Sequence, residues 1–142
     1  MTAKPDSRPR HWWFEGPAAV VFAYEGFEKA LADASDRDVA KVDATLKKIY
    51  CQKGFVPLPK RWNPDEHRHR VNGTNGKELR VQAVKGHQLR VYGVEGNYKG
   101  KKAFFISEVD ARKKQNKADQ ALLKKAAQDA WDLVRGIFGA EI

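Results

Sequence analysis

Cysteine is almost missing from this chain. The single Cys51 in 142 residues excludes an intramolecular disulfide framework. It sits among Ile49, Tyr50 and Gln52 in a helical pattern with no assured His or Asp partner, so it reads as a packed thiol rather than a nucleophile. Long hydrophobic runs are missing as well. No stretch approaches the roughly 18–20 apolar residues of a membrane span. The N-terminus, MTAKPDSRPRHWWFEG, starts polar and holds no apolar core of signal-peptide length. A cytoplasmic chain with no membrane partner is expected. There is no phosphate-cradling glycine loop, nucleophile elbow or paired-carboxylate motif, and no internal repeat or low-complexity tract.

What the chain does have is positive charge in one place. Its formal net charge is +9, and the segment from Lys77 to Lys117 holds eleven Lys/Arg against four Asp/Glu, about +7 of that total. Charge this concentrated has the footprint of a polyanion-binding surface, and nucleic acid is the commonest polyanion inside cells. At 42% hydrophobic and 32% charged residues the composition is that of a globular domain. The length supports one core and is too short for two ordinary domains.

Periodicity places the elements. Residues 1–16 read as an extension carrying Trp12-Trp13-Phe14, an aromatic cluster expected to dock on the same domain. Ala18 to Tyr24 alternates as a short strand, and a helix follows from Glu25 to about Ala34. Ser35-Asp36-Arg37-Asp38 resembles a capping box with Asp in place of Glu. Behind it Val39, Val42, Leu46, Ile49 and Tyr50 form the stripe of an amphipathic helix stopped by Gly54. The two helices would make one hairpin. Pro57, Pro59 and Pro64, with two Asn-Gly pairs, read residues 55–76 as a loop. Strands are then expected around Leu79–Ala83, Leu89–Gly93 and Ala103–Val109, and a helix from about Lys117 to Phe138. The expected fold is α+β, in the order β-α-α-β-β-β-α. It has a small antiparallel sheet, an N-terminal helical hairpin and a C-terminal helix, with the helices on one face.

That arrangement would leave Arg80, Arg90 and Tyr92 projecting from the open sheet face, two guanidiniums beside a phenol, suited to a phosphate and a base. Arg112-Lys113-Lys114-Gln115-Asn116-Lys117 would lie beside a helix N-terminus, and both features attract phosphate. His67-Arg68-His69 lies in the long loop without the partners of a recognised metal site, which leaves a proton-transfer, RNA-contact or plain surface role. His87 sits at the strand turn.

Four segments, in this order, resemble the toxins of the RelE/ParE superfamily, and within it the HigB-like branch: Gly76-Lys77-Glu78-Leu79-Arg80-Val81, Leu89-Arg90-Val91-Tyr92, Phe104-Phe105-Ile106, and Arg112-Lys113-Lys114-Gln115-Asn116-Lys117-Ala118-Asp119. The resemblance covers about residues 18–132 and implies a single RelE-like toxin domain over 17–142. It implies a toxin of a type II toxin–antitoxin pair, held inactive by a cognate antitoxin. Many such relatives are metal-independent endoribonucleases that cut mRNA on the ribosome through 2′-OH attack, so no cofactor and no metal are expected. Residue by residue, Arg90 falls on the family's strand arginine, Tyr92 on the position that often stays aromatic, and Arg112 or Lys113 on the basic position after the last strand. These four are the candidate catalytic set. Arg80 matches the "ELR" arginine, and with His87, Lys114 and Lys117 it makes the candidate RNA-binding set. The chain departs from the pattern in Trp131, where some ribonuclease members carry a tyrosine, and in the aromatic extension. The superfamily also includes gyrase inhibitors. A second reading is therefore a non-catalytic module of the same fold that binds a polyanion or a protein.

Overall fold

The computed structural model describes residues 10–73, 77–112 and 119–142. The chain opens with two strands, β1 (Trp12–Glu15) and β2 (Ala19–Ala23), followed by the short helix α1 (Phe27–Leu31). One continuous helical stretch comes next: α2 (Asp36–Ala44), a π-helical segment over Thr45–Tyr50, and α3 (Cys51–Lys53). Strands β3 (Trp62–Arg70), β4 (Glu78–Lys85), β5 (Arg90–Tyr98) and β6 (Lys101–Asp110) follow, then helix α4 (Gln120–Arg135) and the two-residue strand β7 (Ala140–Glu141).

The seven strands among the described residues join one mixed sheet in the order β1-β2-β6-β5-β4-β3, with β7 against the far end of β5. β2 runs parallel to β6, with Ala19 opposite Lys102 and Ala23 opposite Ile106, and the other pairs are antiparallel. The expected fold class is corrected here. The chain does not open on one strand and a helical hairpin, and its sheet is neither small nor wholly antiparallel. The difference has three sources. The aromatic extension supplies β1. The stretch WNPDEHRHR, which Pro64 and its charges mark as loop, is an edge strand, where a proline and polar residues are tolerated. The parallel pairing of β2 with β6 joins segments about 80 residues apart in the chain, and no local pattern encodes it.

The helices lie on both faces of the sheet, not on one. On one face Ala19, Val21, Val84, Val91, Phe104 and Ile106 pack with Phe27 of α1, Val42 of α2 and Leu46 and Tyr50 of the π segment. On the other, Val20, Phe22, Ala103 and Phe105 meet Leu133 and Val134 of α4, while Val81, Ala83 and Tyr92 meet Leu123, Ala126 and Ala127. Double coverage explains why β2 reads AVVFA and is buried at every position. Ser35 caps α2 as expected, its Oγ accepting from the Asp38 N–H at 3.1 Å. Gly54 ends α3 at φ 83°, where an L side chain would be strained. Asp119 caps α4 by accepting from the Ala121 N–H at 2.9 Å.

Candidate nucleic-acid interface

The β4–β5 hairpin turns over Gly86-His87-Gln88-Leu89, with Lys85 opposite Arg90 and the Gly86 N–H donating to the Leu89 carbonyl at 2.8 Å. A carboxylate from another element holds this turn. Asp38 of α2 accepts from the His87 N–H at 2.9 Å and from the Gln88 N–H at 3.0 Å. Burial raises the Asp38 carboxyl. The N–H groups of Gln88 and His87 more than reverse that, so it lies below the ordinary carboxylate range. The capping box is thus only half formed: Asp38 gives its N–H to Ser35 but spends its carboxylate on the turn.

Arg90 folds back on the same turn, its Nη1 donating to the Gly86 carbonyl at 2.8 Å and the Leu89 carbonyl at 3.0 Å. Across the β5–β6 ladder Arg90 faces Asp110, and two residues further Arg112 donates through Nε to the Asp33 carbonyl at 2.9 Å. This bond ties the end of β6 to the linker between α1 and α2. The result is a groove at the sheet end where β2 and β6 finish. One part is a cavity of about 380 Å³ lined by Arg37, Lys41 and His87. A second, also about 380 Å³, shares Ser35, Asp38 and Gln88 with it and reaches Arg112.

The structure therefore places His87 and Arg112 of the sequence-derived set along one groove, with Arg90 bonded to the turn that carries His87. It does not bring Tyr92 or Arg80 to them. Tyr92 is fully buried against α4, and its hydroxyl has no hydrogen-bond partner among the described residues. Burial, then the charges of Asp110 and Glu66, push its phenol well above the ordinary value. The expected open face bearing Arg80, Arg90 and Tyr92 is corrected by parity and by coverage. Ala83 pairs with Tyr92 and shares its face, so Arg80, three residues along β4, points the other way. Arg80 is exposed, opposite Arg68 of β3. Lys113, Lys114 and Lys117 lie outside the described residues.

Arg37 and Lys41 escape sequence reading because they lie on α2, some 50 residues before His87. The only signal is their place beside the capping motif, which helix punctuation already explains. His67 and His69 lie on β3 with ring centres 6.2 Å apart, and no group of three metal-ligating side chains forms among the described residues. Burial, then His69 and Lys124, hold the His67 imidazole below its ordinary pKa. Cys51 is fully buried, and burial pushes its thiol up to about 11, which suits packing and not nucleophilic attack.

Chemically, the groove presents two guanidiniums, an ammonium and an imidazole beside the capped N-terminus of a nine-residue helix. Such a set can bind phosphate oxygens and move a proton. No helix among the described residues is long and apolar enough to cross a membrane. Comparison with family models, curated proteins and solved structures finds no match to this chain.

Proposed function

We propose that this chain is the toxin of a type II toxin–antitoxin pair and acts in the cytoplasm as a metal-independent endoribonuclease that cuts mRNA on the ribosome. The observation that carries this reading is the convergence of Arg37, Lys41, His87 and Arg112, drawn from three separate parts of the chain, on one groove beside Arg90. The four ordered motifs that resemble RelE/ParE toxins supply the rest of the support, and a cognate antitoxin would hold the toxin inactive.

In the proposed reaction the ribose 2′-oxygen attacks the adjacent phosphorus. A P–O2′ bond forms, the P–O5′ bond breaks, and a 2′,3′-cyclic phosphate and a 5′-hydroxyl are left. His87 accepts the 2′-hydroxyl proton. Arg112 stabilises the charge developing on the phosphoryl oxygens, and a cation of the groove protonates the leaving 5′-oxygen. Arg90 positions the turn that carries His87. Tyr92, sealed beneath α4, has no role in this scheme.

Primer extension on mRNA from a translating extract tests the reading. Wild type is expected to give discrete cleavages ending in 2′,3′-cyclic phosphate. Arg112→Ala should lower the rate by about 10²- to 10³-fold, the usual cost of one preorganised interaction with a transition-state charge. A wild-type protein that binds RNA without cutting it would instead favour the non-catalytic reading.

A further inference from the structure

At the same end of the sheet, at the start of α1, lies a third cavity of about 340 Å³, within the range of small-molecule sites. Four of its ten lining residues are aromatic, Trp12 and Trp13 of β1, Tyr24 just after β2 and Phe27 at the start of α1, and Glu28 stands among the others. Trp13 meets Phe27 edge-on with ring centres 5.0 Å apart, and Tyr24 meets the same ring at 6.1 Å. Arg10 and Glu25, joined by an ion pair, stand at the rim with His11. The Trp13 indole N–H is buried and has no acceptor among the described residues. A buried donor left unsatisfied is costly, and an acceptor brought against it would relieve that cost.

Two further observations connect this cavity to the cationic groove. The Tyr24 N–H donates to the Ile106 carbonyl of β6, the strand that leads to Arg112 two residues beyond its end. Between Gly26, at the cavity, and Asp33, which binds Arg112, stands only the five-residue α1, about 8 Å of helical rise. An aromatic cavity with one unsatisfied donor, set beside phosphate-binding cations, has the chemistry of a nucleobase site: π faces for stacking and an N–H for a ring nitrogen or carbonyl. The geometry points to the Trp13–Tyr24–Phe27 cavity as a pocket for a single unstacked base of the RNA whose phosphates lie in the groove. The inference rests on the RNA-binding reading above, and it gives the aromatic N-terminal strand a function that packing alone does not require.

Titration with nucleoside 5′-monophosphates and, in parallel, with ribose 5-phosphate tests it, read by the Trp13 indole N–H resonance. The nucleotides are expected to shift that resonance, and ribose 5-phosphate is expected to leave it in place. Tyr24→Leu keeps apolar packing but removes a π face, and should weaken binding of a short single-stranded RNA roughly tenfold, as loss of one base–aromatic stack does. Trp13→Phe keeps an aromatic face, though a smaller one, and removes the donor, and should weaken binding several-fold while the circular dichroism spectrum stays native. If folded Tyr24→Leu and Trp13→Phe both bind RNA as tightly as wild type, the pocket assignment is overturned while the RNA reading stands. If ribose 5-phosphate shifts the indole resonance as nucleotides do, the base is not what the pocket recognises. If wild type binds no RNA, both readings fall together.

Discussion

Glu95 and the Asp38 groove are two polar centres about 17 Å apart along β5, and they solve the problem of polarity in opposite ways. Glu95 is enclosed. It accepts from the Tyr50 hydroxyl at 2.9 Å and from Gln82 Nε2 at 2.7 Å, and Lys102 stands 3.2 Å away. Gln82 in turn accepts from the indole of buried Trp62 at 2.7 Å. Every member of that network has a partner, and it ties a helix, an edge strand and three inner strands together. At the groove only the anion is fully engaged. Asp38 is consumed by backbone N–H groups, while Arg37 and Lys41 form no ion pair among the described residues. A closed network stabilises the fold, and cations left without acid partners are open to a ligand outside it.

The largest expected effect that would sharpen this contrast comes from Gln82→Leu. It strands the Trp62 N–H and one oxygen of Glu95 in a site where Gln82 itself is 1% exposed, so a loss of about 2–4 kcal/mol in urea unfolding is expected. RNA affinity of the folded protein should not change. A parallel fall in affinity would show that the two centres are coupled, and the contrast would break.

Asp38→Asn should come next, at about 1–3 kcal/mol, because one charged acceptor of the His87–Gln88 turn becomes a donor. Here RNA affinity should fall too, since the turn carries His87. The pH dependence follows from the sign of the shift. The Asp38 carboxyl lies lower in the folded chain than unfolded, so its stabilisation is present above the unfolded value near 4 and is lost as pH falls through the folded value. Unfolding followed from pH 6 downward should show a shallower acid loss in Asp38→Asn than in wild type. Equal slopes would remove Asp38 from the account.

The smallest effect on stability is expected from Arg37→Ala and Lys41→Ala, each within about 0.5 kcal/mol. Their effect belongs to binding. For every phosphate that a variant no longer neutralises, the log–log salt dependence of RNA affinity should become shallower by about one unit. An unchanged slope in the double variant would return this face to ordinary solvated surface.

Strands β4, β5 and β6 and helix α4 were legible because their patterns are local: alternating residues such as Leu79, Val81 and Ala83, and the apolar stripe of Leu123, Ala127, Ala130 and Val134. So were the Ser35 cap and the Gly54 stop, each a short-range fit of one residue to one backbone need. The sequence also determined where the positive charge is concentrated. Tertiary structure alone decided that β2 pairs in parallel with β6, that WNPDEHRHR closes the sheet's edge, and that α4 covers the face on which Tyr92 lies. It also decided that Asp38 reaches across 50 residues to hold the turn of His87. The physical reason is common to these cases. A period of 2 or 3.6 says which residues share a face, but what covers that face is set by long-range packing, and a side chain's partner by whatever that packing brings near.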